Sequence, residues 1–163
     1  MNTSNDLNNN KKYKVLFVCH GNICRSPMGE FIMKHLVDKA GKSEEYLIDS
    51  SAVSYEEDGC GIYPPAARKL SEHRIPFGSH AAHRISAAEA AEFDLILIMD
   101  SSNERLISRI IRPEDMQKVH YLMEYAGKPF QSVSDPWYTG DFETAYRDIY
   151  SACVGLLETL EGR

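Results

Sequence analysis

The sequence predicts an open α/β fold, in which helices form right-handed crossovers between the strands of a parallel sheet. Short apolar, β-branched runs without polar alternation are typical of strands buried on both faces, and amphipathic segments of helical periodicity alternate with them. The 163 residues, 43% of them hydrophobic, suffice for one domain with a substantial core. In such sheets, ligands bind beyond the carboxyl ends of the strands.

The first predicted unit is a strand, a tight loop and a helix. Residues 14–19 (KVLFVC) predict a buried strand that ends at Cys19, and a turn containing glycine follows at once. Ser26 and Pro27 are typical of a helix start, with Ser26 as the N-cap and Pro27 at the first helical position. An apolar stripe then supports the helix and comprises Phe31, Ile32, Leu36 and Val37.

The remaining elements follow the same alternation. Residues 46–53 predict a second strand, Pro64 and Pro65 lead into a helix, and residues 93–99 predict a third strand with a helix from about Ser101. Residues 119–122 are a weaker fourth strand, and residues 142–160 predict a closing amphipathic helix. The irregular stretches 54–63 and 124–140 are candidate site loops.

Composition and charge exclude several classes of protein. The net charge of −6 gives no electrostatic footprint for nucleic acid or for an anionic membrane surface. Residues 1–12 are polar and predict a disordered tail, they lack the apolar core of a signal peptide, and no later run resembles a membrane span. The four cysteines have neither metal-ligand spacing nor the density of a disulfide scaffold. We therefore expect a cytoplasmic protein, a monomer with free thiols and no bound metal.

Residues 19–26 (CHGNICRS) have the pattern of a phosphate-binding loop. The loop joins a strand to a helix N-terminus, so that successive backbone N–H groups can converge on an anion. Gly21 and Asn22 tolerate the positive φ that such a loop must visit, and Arg25 can clamp two phosphate oxygens. The predicted phosphate-binding residues are His20, Gly21, Asn22, Ile23, Cys24, Arg25 and Ser26.

Cys19 is the candidate nucleophile of this loop. The helix N-terminus and Arg25 favour the thiolate, which could attack a bound phosphorus in line without a metal or an organic cofactor. Expulsion of a phenolate and hydrolysis of the phosphocysteine then require a general acid and base. From the residues alone, Asp135 and Asp100 both remain candidates, since Asp100 follows a predicted strand.

The segments C-H-G-N-I-C-R-S-P and D-P-W-Y, the latter at 135–138, resemble the low-molecular-weight protein-tyrosine phosphatases over nearly all of the chain after the tail. The resemblance implies a single-domain three-layer sandwich with a four-stranded parallel sheet over residues 13–163. It implies Cys19 as nucleophile, Arg25 as phosphate clamp and Asp135 as general acid and base. It implies that Ser26 hydrogen-bonds the thiol and that Asn22 holds the loop with support from Ser50 and His80. Trp137 and Tyr138, with Ile23, would line the pocket, and a disulfide between Cys19 and Cys24 would shield the nucleophile.

Two departures from the family pattern concern the pocket rim. His83 stands where many relatives have arginine, and Tyr55 and Glu56 replace a more usual aromatic placement. Three other activities compete with hydrolysis of phosphotyrosine in proteins. An arsenate reductase would need further cysteines, which residues 100–112 lack, and a phosphoarginine phosphatase would resemble C-T-G-N-T-C-R-S, whereas Ile23 is apolar. A silent phosphate-binding module would not need both Cys19 and Asp135.

Overall fold

The computed structural model describes residues 11–162, so most of the predicted tail lies outside the described residues. Four parallel strands form one sheet in the order β2-β1-β3-β4. In chain order the elements are β1 (Tyr13–Cys19), α1 (Arg25–Lys39), β2 (Tyr46–Ala52), α2 (Pro64–Glu72), α3 (Ala87–Glu92), β3 (Leu95–Ile98), α4 (Ser101–Ile107), β4 (Val119–Tyr121), α5 (Pro136–Thr139) and α6 (Phe142–Glu161). Short 3-10 helices span Ser43–Glu45, Pro113–Lys118 and Leu122–Ala126.

Helices cover both faces of the sheet and create two hydrophobic cores. Alternate residues of β1 explain the division: Val15 and Phe17 face the core beneath α1, α2 and α6, whereas Leu16 and Val18 face the core beneath α3 and α4. The helices therefore form the two outer layers of a three-layer sandwich. The predicted fold class, with its four-stranded parallel sheet, is confirmed.

The predicted strands and major helices are present. α3 and the four-residue α5 were not predicted, α5 because residues 124–140 were expected to be irregular. The predicted N-cap, Ser26, lies inside α1, which begins at Arg25 after Cys24 without a side-chain cap. The reason is that the Ser26 hydroxyl bonds the sulfur of Cys19 and the amide of Asn22 instead. No helix among residues 11–162 is long and apolar enough to span a membrane.

The topology brings three segments to one end of the sheet. β1 ends at Cys19 and β3 is followed by Met99 and Asp100, so both central strands point their carboxyl ends at the same edge. The loop after β4 returns to this edge, where the Val133 N–H donates to the Met99 carbonyl at 3.0 Å. The segment that carries Asp135 thereby lies beside the loop that follows Cys19.

Candidate active site

Cys19 lies at the floor of a cavity of about 170 Å³ at this edge of the sheet. The walls are formed by His20, Gly21, Ile23, Cys24, Arg25, Glu56, Glu57, Asp135, Trp137 and Tyr138. Most of the predicted catalytic, phosphate-binding and pocket residues therefore meet around one cavity. Asn22 and Ser26 lie behind this wall and are fully buried.

The sulfur of Cys19 accepts or shares three hydrogen bonds. The backbone N–H groups of Asn22 and Ser26 approach it to 3.3 and 3.4 Å, and the Ser26 hydroxyl lies 3.0 Å away. The Ser26 oxygen also accepts a bond from the Asn22 side-chain amide at 2.8 Å, so the hydroxyl proton is available to the sulfur. Donors at these three positions stabilise negative charge on the sulfur.

The loop can also hold an anion above the sulfur. Within the described chain, the N–H groups of Ile23, Cys24 and Arg25 have no backbone or side-chain acceptor. They belong to the start of α1, where the helix dipole favours negative charge. Such a set of converging donors matches the oxygens of a phosphate group.

Asn22 is the strained residue of the loop. It has a φ of 60°, as expected for a residue type that tolerates the left-handed region. The Nε2 of His80 donates to its carbonyl at 2.7 Å, and the His83 N–H donates to its side-chain oxygen at 3.3 Å. Of the two loop residues that tolerate a positive φ, Asn22 adopts it and Gly21 does not. A Cβ at Gly21 would lie 3.2 Å from the side chain of Glu57, so space is what favours glycine there.

The guanidinium of Arg25 is buried and held from three sides. Nη1 donates to Asp100 at 2.8 Å and to the Val133 carbonyl at 2.9 Å, and Nη2 approaches Asp135 at 3.4 Å. Burial by itself would lower the pKa of Arg25, but the negative charges of Cys19, Asp100 and Asp135 outweigh burial and raise it above its usual value. Arg25 is therefore a fixed positive charge between the sulfur and two carboxylates.

The two candidate acids have different surroundings. Asp100 uses one oxygen for Arg25 and the other to cap α4 through the N–H of Asn103 at 2.9 Å, and it does not line the cavity. Asp135 lines the cavity and accepts one bond from the Trp137 N–H at 3.0 Å. Its position at the cavity wall favours Asp135 as the group that meets a ligand.

A family model described as low molecular weight phosphotyrosine protein phosphatase matches residues 14–163. The chain belongs to this family. The human low molecular weight phosphotyrosine protein phosphatase is 39% identical over 88% of this chain and 93% of its own length. The crystal structure of YfkJ from Bacillus subtilis has a TM-score of 0.89 at 30% identity and covers 93% of this chain and 96% of its own. The crystal structure of a Drosophila arginine phosphatase has a TM-score of 0.79 at 32% identity over 90% of this chain and 97% of its own.

Family membership supports a hydrolase of the protein-tyrosine phosphatase class, and the rim of the pocket carries both aromatic and acidic side chains. Trp137 and Tyr138 flank the mouth with exposed fractions of 51% and 84%. Glu56 also lines the cavity and accepts a hydrogen bond from His20 Nε2 at 3.0 Å. His83 donates to Glu89, which raises the pKa of His83. The lining of the pocket therefore combines aromatic with polar side chains.

The predicted supporting residues differ in what they touch. His80 contacts the loop directly, whereas the Ser50 hydroxyl donates to the buried carboxylate of Glu30 at 2.6 Å. The neighbouring Ser51 meets the loop, since its carbonyl lies 3.4 Å from the Ser26 hydroxyl. The sequence named Asp100 as a competing acid but not as a partner of Arg25, and it did not single out Glu30. An aspartate at the end of a strand was the available signal for Asp100, and nothing in the local pattern pointed to Glu30.

The second cysteine of the loop has a different environment from the first. Burial, followed by the nearby negative charge of Cys19, raises the pKa of Cys24 to about 12. Cys24 is therefore a thiol at neutral pH and a poor nucleophile. All four cysteines are free thiols in this structure, and the disulfide between Cys19 and Cys24 stays a prediction.

Proposed function

We propose that the protein hydrolyses phosphotyrosine in protein substrates through a phosphocysteine intermediate on Cys19. The observation that carries the proposal is the arrangement of the cavity: the sulfur at its floor, unpaired N–H groups and Arg25 around it, and Asp135 on its wall. These are the parts that a two-step phosphoryl transfer needs. The phosphate-binding role extends over His20, Gly21, Asn22, Ile23, Cys24, Arg25 and Ser26.

In the first step, the Cys19 thiolate forms a bond to phosphorus while the bond between phosphorus and the tyrosyl oxygen breaks. Asp135, as the protonated acid, gives its proton to that oxygen, so that tyrosine leaves as a neutral phenol. The loop N–H groups and Arg25 stabilise the charge on the three equatorial oxygens.

In the second step, water attacks the phosphocysteine and Asp135, now a carboxylate, takes the proton from that water. The sulfur leaves as the thiolate and inorganic phosphate is released, which returns the enzyme to its starting state. The Ser26 hydroxyl supports this step because it stabilises the departing thiolate at 3.0 Å. No step uses a metal ion or an organic cofactor, and we further propose that the enzyme acts as a monomer in the cytoplasm.

The aromatic side chains at the pocket mouth favour a phosphotyrosine substrate. The ring of a phosphotyrosine can enter between Trp137 and the wall formed by Ile23, whereas phosphoserine has no ring to contact them. The similarity to an arginine phosphatase makes phosphoarginine the second candidate. The apolar side chain of Ile23 at the cavity wall argues for the aromatic ester, because it cannot hydrogen-bond a guanidinium.

The test is phosphate release from phosphotyrosine, phosphoserine and phosphoarginine peptides with a chelator present. We expect turnover of phosphotyrosine by the wild type and by Cys60→Ser, the matched control for an exposed cysteine, and no turnover by Cys19→Ser. Faster turnover of phosphoarginine than of phosphotyrosine would show that hydrolysis of phosphoarginine is the main activity. Loss of all turnover with the chelator, restored by a divalent metal, would exclude the mechanism.

The role of Asp135 is tested separately with two aryl phosphates. In Asp135→Asn, kcat/KM for phenyl phosphate should fall by about 10²- to 10⁴-fold, the usual contribution of a general acid. For 2,4-dinitrophenyl phosphate, whose leaving group needs no proton, kcat/KM should fall far less. Equal losses for both substrates would remove Asp135 from the role of acid.

A further inference from the structure

Tyr63 lies between the phosphate-binding loop and the segment that carries Asp135. It is the residue before α2, and its backbone N–H donates to the Ile23 carbonyl of the loop at 2.9 Å. Its ring centroid lies 4.9 Å from that of Trp137 and 5.9 Å from that of Phe142, the first residue of α6. Both distances are within the range of favourable aromatic pairs. One residue thus contacts the loop by its backbone and the segment around Asp135 by its ring.

The direction of the Asp135 carboxylate depends on the residue that Tyr63 contacts. One carboxylate oxygen accepts the N–H of Trp137 at 3.0 Å, and the other lies 3.4 Å from Arg25. A shift of the Trp137 backbone would therefore turn or move the carboxylate. Because α5 has only four residues and is followed at once by Gly140 with a φ of 74°, helical hydrogen bonding contributes little to holding it.

The segment is held on the other side of Asp135 by a different contact. The Val133 N–H donates to Met99, and the Val133 carbonyl accepts a bond from Arg25. The residues before Asp135 are thus fixed to the end of β3 and to Arg25, whereas those after it are held by the burial of Pro136 and by the ring of Trp137. That ring is 51% exposed, and the faces it does bury include the contact with Tyr63.

We propose that Tyr63 is a positioning residue for the general acid: its ring holds Trp137, and through Trp137 the carboxylate of Asp135, at the wall of the cavity. The inference rests on the proposed function, because it assigns to Tyr63 a part in the step that Asp135 carries. A displacement of about 1 Å in a reacting group can cost about 10²-fold in rate, so a loosened Trp137 has a measurable effect. If the ring of Tyr63 had only a structural role, its removal would lower the stability of the protein and would lower kcat/KM equally for substrates with good and with poor leaving groups.

The kinetic test compares Tyr63→Ala with two controls. Tyr63→Phe keeps the ring, and Tyr150→Ala removes a tyrosine from α6 that pairs with Tyr146. For Tyr63→Ala we expect kcat/KM for phenyl phosphate to fall about tenfold and kcat/KM for 2,4-dinitrophenyl phosphate to change less than about twofold. Both controls should resemble the wild type. If Tyr63→Ala does not fold, Tyr63→Leu takes its place, because leucine keeps apolar volume without a flat ring, and we expect the same kinetic losses.

A spectroscopic test is independent of activity, since Trp137 is the only tryptophan in the sequence. The fluorescence anisotropy decay of Trp137 should show larger fast motion in Tyr63→Ala than in the wild type, and unchanged motion in Tyr63→Phe. Unchanged anisotropy together with equal kinetic losses on both substrates would overturn the inference.

The double variant Tyr63→Ala with Asp135→Asn separates the inference from the proposed function. If Tyr63 acts through Asp135, the double variant should have the same kcat/KM for phenyl phosphate as Asp135→Asn alone. A further tenfold loss would mean that Tyr63 acts elsewhere and would refute its positioning role. If Asp135→Asn itself has no dependence on the leaving group, the proposed acid fails, and the anisotropy still reports whether Tyr63 holds Trp137.

Discussion

Asp100→Ala should weaken the fold by more than the loss of an ordinary helix cap. One Asp100 oxygen accepts a hydrogen bond from the buried guanidinium of Arg25 at 2.8 Å, and the other accepts one from the N–H of Asn103 at the start of α4. A hydrogen bond to a charged group contributes about 1.5 to 3 kcal/mol and an N-cap about 1 kcal/mol. Since the Asp100 side chain is 23% exposed, the larger cost of breaking a fully buried ion pair does not apply. The two contributions together give an expected loss of about 2.5 to 4 kcal/mol in the free energy of unfolding.

Urea unfolding monitored by circular dichroism measures this loss, and two further variants separate the contribution of the helix cap from that of the contact with Arg25. Ser86→Ala removes a cap of the same kind, a side-chain oxygen that accepts the backbone N–H of Glu89 at 3.0 Å but bonds no charged group, and should cost about 1 kcal/mol. Asp100→Asn offers one oxygen where two donors need acceptors, so it should cost about 1 to 2 kcal/mol.

Inhibition by inorganic phosphate gives the functional readout of the same variants. Arg25 in Asp100→Ala keeps the Val133 carbonyl and Asp135 but loses its shortest charged contact, so phosphate should inhibit more weakly than in the wild type. Ser86→Ala should leave the inhibition constant unchanged. If Asp100→Ala lost no more stability than Ser86→Ala, the contact between Asp100 and Arg25 would contribute nothing and the reasoning would be refuted.

Two predictions concern the core. Gly155→Ala should cost about 1 to 3 kcal/mol in urea unfolding, because a Cβ there would lie 1.8 Å from the Tyr125 carbonyl oxygen, whereas Gly78→Ala, with nothing within 4 Å, should be neutral. Burial raises the pKa of Cys24 to about 12 and that of Cys153 further, so stability is fully present below pH 9, where unfolded thiols keep their protons, and falls as pH rises. Cys153→Ala should remove up to about 1.4 kcal/mol per pH unit from that alkaline slope. An unchanged slope would contradict a raised pKa of Cys153 in the folded protein.

Local patterns predicted the parts of the fold that depend on neighbours in sequence. The apolar run before Cys19 and the strand-to-helix turn after it are set by residues within the octapeptide and its flanks. The missed helix α3 was also within reach, because Ser86 and Glu89 have the spacing of a capping signal and Ser86 does accept from Glu89. Its six residues lack the apolar stripe on which the other helices were identified.

Contacts between distant segments were beyond local patterns. The bond between Arg25 and Asp100 joins positions 75 residues apart, and that between Ser50 and Glu30 joins positions 20 apart. A resemblance could assign Ser50 to the loop only by position, while the direction of its hydroxyl depends on the buried carboxylate beside it. The glycine at 21 illustrates the same limit, since the side chain of Glu57 that restricts it belongs to another segment.

The loop at residues 19–26 is held in its conformation by contacts within the protein. A left-handed conformation at Asn22 costs about 1 kcal/mol, and bonds from His80 and the His83 backbone, together with its own bond to Ser26, offset that cost. The donors around the sulfur therefore need no reorganisation when the anion binds, which is the condition under which fixed dipoles lower a barrier most. The segment at 80–83 therefore supports the loop through Asn22 from outside the cavity, which neither histidine lines.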